Sequence, residues 1–267
     1  MIEQLRVEPG SRARIARRDA RDTLGIEGKA AARERMAEIH QRLSMLQSRL
    51  YGEARRSVLL ILQGLDASGK DGVIRTVFTG LNPQGCRVCS FKAPTASELA
   101  RDYLWRVHAV IPMRGEIGIF NRSHYEDVVA VRIFGLAPKR VWSRRPAHIR
   151  EWERMLCDEG ATILKVFLNV SKEEQRERLQ ERVDDPEKRW KFNPSDLEAR
   201  ARFDDYIAAY ESVINETSTE WAPWHVVPAD RNWVKSLAVA ELLLDALERL
   251  KPKLPAPAEG IEGMTIE

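Results

Sequence analysis

Apolar and polar positions recur along this chain with two periods, and each change of period marks an element. Met36, Ile39, Leu43, Leu46 and Leu50 return every three or four residues, predicting a long amphipathic helix over 29–50 with one buried stripe. The run Val58-Leu59-Leu60-Ile61-Leu62 that follows has no polar alternation, as expected of a strand buried on both faces of a parallel sheet. Val73, Val77 and Leu81, with Ile74 and Phe78 beside them, then return to helical spacing.

The same alternation continues. Asn82-Pro83-Gln84-Gly85 breaks the chain, a second strand is expected over 87–91, and a helix begins near Ser97. Strands are predicted at 117–120, 162–168 and 225–228, with helices over 146–159 and 234–250. Strands alternating with helices argue an α/β fold: a five-stranded parallel sheet covered on both faces, with ligands at the carboxyl ends of its strands. Between the fourth and fifth strands, residues 171–221 are too many for a crossover helix. They hold a charged run (173–191) and a second helix (194–217) carrying Leu197, Phe203, Tyr206, Ile207 and Tyr210. This predicts a helical hairpin standing over the strand ends as a lid, the device that excludes water from a group transfer. The domain reading is an amino-terminal arm and helix (1–55), an α/β domain (56–250) and a disordered tail (251–267) rich in proline and acidic residues. Within the arm, residues 1–28 carry Arg12, Arg14, Arg17, Arg18 and Arg21 and suggest a flexible segment able to dock on an anion or a neighbour.

Composition changes this picture little. The 267 residues include 43 basic and 40 acidic side chains, a net charge of +3, so attraction to a polyanion must come from local patches. Three cysteines and no secretory leader pattern predict a reducing cytoplasm. Cys86 and Cys89 form a C-x-x-C without a second pair or a spaced histidine to complete a zinc set, and they read as packing residues. No apolar run approaches the roughly 20 residues that span a bilayer, so no membrane partner is expected.

The chemistry concentrates where the first apolar strand empties into Gly64-Leu65-Asp66-Ala67-Ser68-Gly69-Lys70-Asp71. Glycines at both ends let such a turn curl its N–H groups towards an anion, and Lys70 adds a point charge at the start of the next helix. Gly64, Ala67, Ser68, Gly69, Lys70 and Asp71 are therefore the candidate phosphate cradle. Asp71 stands where a hydroxyl usually holds Mg²⁺. Asp66 reads either as a magnesium ligand placed beside phosphates or as a cap of the following helix. Arg122, directly after the third strand, is a natural fork for phosphate oxygens, or else structural glue to Glu126 and Asp127. In the lid, Arg178 and Arg182 share a helical face and would repel unless an anion lay between them, although a solvated charge run has the same appearance. Lys92, Arg101, Arg106, His108 and Arg114 form a further basic set without a spacing argument, and the tryptophans read as packing.

These pieces together resemble the second family of polyphosphate kinases. The resemblance rests on Gly64 through Gly72, Asn82-Pro83-Gln84-Gly85, Ser90-Phe91-Lys92-Ala93-Pro94, Leu104-Trp105-Arg106, Asn121-Arg122-Ser123-His124-Tyr125-Glu126-Asp127, Asp185-Pro186 through Lys191, and Ala222-Pro223-Trp224. It implies a three-layer P-loop kinase fold of thymidylate-kinase type and Mg²⁺-dependent, reversible transfer of phosphoryl groups between inorganic polyphosphate and AMP or ADP. By similarity Asp66, Lys70, Arg122 and Arg182 are the catalytic residues; Asp66 is the expected metal ligand, and Arg178, from its place in the lid, and Lys92, from the basic set, join the candidate phosphate-binding residues. Asn121 replaces the aspartate that commonly opens its motif. It resembles the subgroup acting on both AMP and ADP, with Asn121, Glu126 and Asp127 expected to tune the nucleotide. The family also implies a dimer or tetramer, for which the long first helix offers an interface. The competing readings are an ATP-dependent nucleotide kinase on the same fold and, in a different class, a non-catalytic nucleotide switch or polyanion-binding protein. The switch lacks an N-K-x-D base-reading motif, and nucleic-acid binding lacks a recognisable motif with interleaved aromatics.

Overall fold

The structure, a computed structural model, describes residues 1–261, 264 and 265. Its elements run β1 (Arg6–Val7), α1 (Lys29–Glu53), β2 (Ser57–Gln63), α2 (Lys70–Val77), β3 (Cys86–Ser90), α3 (Ala96–Leu99), α4 (Trp105–His108), β4 (Ile117–Asn121), α5 (Glu126–Phe134), α6 (Lys139–Trp142), α7 (Arg145–Asp158), β5 (Ala161–Asn169), α8 (Lys172–Asp184), α9 (Ser195–Ala201), α10 (Phe203–Thr217), β6 (Trp224–Pro228) and α11 (Asn232–Leu250).

The strands form one sheet in the order β1-β6-β5-β2-β4-β3. β2 lies at its centre between β4 and β5, parallel to both, and all of its positions are buried, which is why its sequence shows no alternation. One face carries α1, α2 and α11, and the other α5, α7 and α10. The order reverses beside β2, so the crevice at the carboxyl ends of β2 and β4 is the natural ligand position.

Four expectations change. The sheet has six strands rather than five and is mixed, because β1 pairs antiparallel with β6 (Arg6 with His225, Val7 with Trp224). A strand of two residues is too short to show a period, so the arm gave no strand signal. The arm is also packed rather than loose: Leu5, Val7, Ala13 and Ile15 are buried, and the Ala13 and Ile15 amides donate to Asn215 (2.6 Å) and Glu211 (2.9 Å) on α10. The lid's second helix is divided at Arg202 into α9 and α10, where the backbone leaves the helical region. The apolar stripe of α1 packs on α11 within the chain, so it is not free to form an interface. The described part of the tail after Lys251 has no helix or strand, and residues 262, 263, 266 and 267 of the expected disordered segment lie outside the described residues. No described helix is long and apolar enough to cross a membrane.

Candidate functional site

The turn between β2 and α2 can be built only with glycine at its ends. Gly64 has φ of 150°, and a Cβ there would lie 2.7 Å from Ser68 Oγ and 3.0 Å from the Leu168 carbonyl oxygen. Ala67 and Gly69 also have positive φ (63° and 96°), so the chain curls tightly before α2 begins at Lys70. Lys70 folds back across this curl, its Nζ donating to the carbonyls of Gly64 (2.8 Å) and Leu65 (3.2 Å). Burial pulls its pKa down to about 8, the positive charge of Arg122 adds to the effect, and Asp66, Glu126 and Asp71 oppose it.

Asp66 makes no capping bond to α2; its carboxylate pairs instead with Arg122. Arg122 directly follows β4, where its N–H donates to the Leu62 carbonyl (3.0 Å) and its φ of 61° is left-handed. That strained turn projects the guanidinium towards the β2–α2 loop. Burial works against its charge, but Glu126 and Asp66 outweigh burial and raise its pKa. Glu126, at the first turn of α5, is driven the other way: burial raises its pKa while Arg122 and Lys70 restrain it. Gln63, at the end of β2, ties the group together. With its amide turned to satisfy every neighbour it donates to Glu126 (2.8 Å) and Tyr210 (3.0 Å) and accepts from Ser123 Oγ (2.9 Å).

A cleft lined by Gly64, Leu65, Asp66, Arg122, Glu126, Ala199, Tyr206 and Tyr210 lies between this loop and the lid. The base of the lid is bolted to the loop: Gln175 donates to the Asp66 carbonyl (3.1 Å), and Arg178 Nη1 to the carbonyls of Ala67 (3.0 Å) and Ser68 (3.1 Å). Arg178 Nη2 reaches the carbonyls of Ala229 and Asp230 (2.8 Å each), and its Nε reaches Glu174 (2.8 Å). Every donor of Arg178 is thereby engaged by the protein. Arg182, one turn on, bonds Asp196 (3.4 Å), so each arginine has its own carboxylate and no intervening anion is needed to hold them on one face.

The remaining candidates divide. Asn121 reaches the loop, its amide donating to Asp71 Oδ1 (2.6 Å), which joins the two positions that depart from commoner patterns. Asp127 turns away from the cleft towards Arg106 (3.4 Å), and its pKa is raised by burial against the pull of Arg106 and Arg145. Lys92 is exposed, and only its carbonyl is engaged, by Arg106 (2.9 Å). Cys86, Cys89 and Cys157 are free thiols, and burial pushes Cys86 and Cys157 up to about 11, as suits packing residues. No group of three histidine, cysteine or carboxylate side chains able to hold a metal occurs among the described residues.

Two features escaped the sequence reading. On β5, Lys165 donates to Glu153 (2.6 Å), the Thr217 carbonyl (2.7 Å) and Tyr125 (3.1 Å), while Tyr125 donates to Glu153 (2.7 Å). Burial disfavours the Glu153 carboxylate, but Lys165 and His124 outweigh it and hold its pKa below the usual range. The only signal was a lysine in the middle of an apolar strand, which requires a buried partner. The second feature is Lys235 of α11, almost wholly buried, whose Nζ donates to the Ser68 carbonyl (3.1 Å).

A central parallel strand, a glycine-bounded loop opening a helix, and cations converging on that loop beneath a helical lid define a phosphotransferase-type site. The polyphosphate kinase 2 family matches residues 27–255, and the chain belongs to that family. It is 54% identical over 267 residues to the AMP/ADP-polyphosphate phosphotransferase of Meiothermus ruber, covering 100% of both chains. It is 43% identical to an ADP-polyphosphate phosphotransferase of Rhodopseudomonas palustris, over 95% of this chain and 92% of that one. Among solved structures, polyphosphate kinase 2 from Arthrobacter aurescens TC1 superposes with a TM-score of 0.93 at 43% identity, covering 97% of this chain and 93% of the other.

Proposed function

We propose that this protein transfers phosphoryl groups reversibly between inorganic polyphosphate and AMP or ADP, forming ADP and ATP. The observation that carries the reading is the convergence of Lys70, Arg122, Asp66 and Glu126 on the curled β2–α2 turn, in a chain whose 54%-identical relative is named for that reaction. Phosphoryl transfer passes through a state with charge spread over the moving group, so fixed cations and N–H donors do most of the work. We read the turn as a phosphate loop. Lys70 would exchange its bonds to the Gly64 and Leu65 carbonyls for phosphate oxygens, and Arg122 would leave Asp66 in part to clamp the transferring group. α9 and α10 would keep water from the cleft, and Arg182, beyond the fixed base of the lid, would exchange its bond to Asp196 for phosphate oxygens.

Mg²⁺ fits the donor set. It is held by one or two carboxylates together with phosphate oxygens and water, and Asp66 and Glu126 line one cleft as hard oxygen donors. Bound there it would neutralise phosphate charge. Asn121, Glu126 and Asp127 are the candidates for nucleotide choice, with Asn121 on Asp71, Glu126 in the cleft and Asp127 paired with Arg106. The free thiols accord with a reducing cytoplasm, and a dimer or tetramer would use surfaces other than the α1 stripe.

Purified protein given Mg²⁺, long-chain polyphosphate and AMP should form ADP and then ATP with no other donor, followed by chromatography of the nucleotides. Product with ATP as donor but none with polyphosphate would replace this reading by an ordinary nucleotide kinase.

A further inference from the structure

Lys235 sits where a side chain of residue 69 would be. A Cβ built on Gly69 would fall 2.0 Å from Lys235 Nζ and 2.8 Å from Cε, so the lysine tip occupies the back of the loop. Lys235 is 1% exposed, and its ammonium donates to the Ser68 carbonyl (3.1 Å) and to Asn232 Oδ1 (2.6 Å). Burying an ammonium is costly, and burial, with Arg178 adding to it, draws this one down to about 7. A methionine would fill the same space without that cost, so the charge and its donors call for a reason.

The reason lies in the geometry of the peptide unit. A trans peptide is planar, with its C=O and N–H pointing in opposite directions. Lys235 and Arg178 both take the Ser68 carbonyl, one from α11 and the other from α8, so the Gly69 N–H must point to the opposite, concave side. Arg178 fixes the Ala67 carbonyl in the same sense, and Ala67 accepts a left-handed φ to allow it. Lys70 lies within the curl and Lys235 behind it, so the loop is gripped between two lysines.

We propose that Lys235 is a positioning residue of phosphoryl transfer, holding the Ser68–Gly69 peptide from behind so that the loop's amides are already aimed at the transferring phosphate. This rests on the phosphate-loop reading above. The role differs from that of Lys70, because Lys235 never meets the substrate.

The test compares Lys235→Met, which keeps the volume and removes the donors, with Lys235→Gln, which keeps a donor without the charge. Full-length enzyme is assayed for kcat and for the KM of ADP and of polyphosphate, and its thermal unfolding is followed with and without inorganic tripolyphosphate. A misaimed loop should lower kcat of the methionine variant by about 10- to 100-fold. The KM for ADP should stay within about twofold. The stabilisation by tripolyphosphate should shrink, and glutamine should recover part of both losses. A folded Lys235→Met protein with kcat and tripolyphosphate response within twofold of wild type would overturn the proposal. So would equal losses in both variants that track only their lowered melting temperatures. If Lys235→Met does not fold, the glutamine variant decides: wild-type kcat supports the donor role, and loss equal to its unfolded fraction rejects it. Wild-type enzyme that responds to tripolyphosphate yet makes no nucleotide from polyphosphate would remove the phosphotransfer reading and leave the loop-holding role to the binding arm.

Discussion

Two cation–carboxylate clusters meet at the carboxyl end of β4, and they use the same residue types for different ends. In the open one, Arg122 and Lys70 face Asp66 and Glu126, Arg122 is about one-third exposed, and the lysine's bonds are to loop carbonyls that a phosphate can replace. In the sealed one, Lys165, Glu153 and Tyr125 are wholly buried, and the lysine has three partners inside the protein. The segment from Asn121 to Asp127 feeds both, sending Asn121, Arg122 and Glu126 towards the loop and Ser123, His124 and Tyr125 inwards. A charged motif is therefore not one site. Accessibility and exchangeable partners separate the half that can do chemistry from the half that holds the turn in place.

The sealed cluster gives the largest expected effect. Lys165→Met leaves Glu153 buried and uncompensated, and should cost about 3–5 kcal/mol in urea unfolding. Adding Glu153→Leu should restore most of that loss, since a buried pair replaced by apolar groups is often nearly neutral. The double variant should keep turnover within a few-fold of wild type. A double variant as unstable as the single one would mean that the network around Tyr125 and Thr217, not the pair, carries the stability. A double variant that is stable but inactive would blur the contrast, because the sealed cluster would then be setting the aim of Arg122.

The open cluster should respond in the opposite way. Arg122→Ala should reduce kcat by on the order of 100-fold or more, the scale of losing one donor to a developing charge. Its ion pair with Asp66 is partly exposed, so unfolding free energy should move by no more than about 1 kcal/mol. Near wild-type turnover in the folded variant would take Arg122 out of the mechanism.

The contrast also explains what the sequence could reveal. β2, its glycine-bounded turn and Arg122 were legible because each follows from a local rule: an apolar run, a positive-φ glycine, a residue just past a strand end. The helical excursion between β5 and β6 was legible from its length and its apolar positions. β1 was not, since two residues carry no period and its pairing with β6 joins segments far apart in the chain. The charge of Arg178 is visible in the sequence, but the four backbone carbonyls it meets in this fold are not. Lys235 and the Lys165–Glu153 pair went unread for the same reason, as their partners come from other layers.

The lid supplies the finest version of the comparison, within one helix. Arg178 resembles the sealed cluster, with all its donors engaged at the fixed base of α8, whereas Arg182 bonds only Asp196 across the lid and Arg176 is exposed. If the proposed phosphate contact forms, a cation with one long bond can exchange it, while a solvated one gains little from the same contact. Arg182→Ala should therefore lower kcat by about 10-fold, and Arg176→Ala by less than about twofold, in assays of polyphosphate-driven ATP formation. Equal, small effects would return both to ordinary surface charge. Asp196→Ala separates the remaining possibilities: if it lowers kcat as much as Arg182→Ala, the pair is a brace within the lid, and if turnover persists without Asp196, the arginine acts on the phosphate itself.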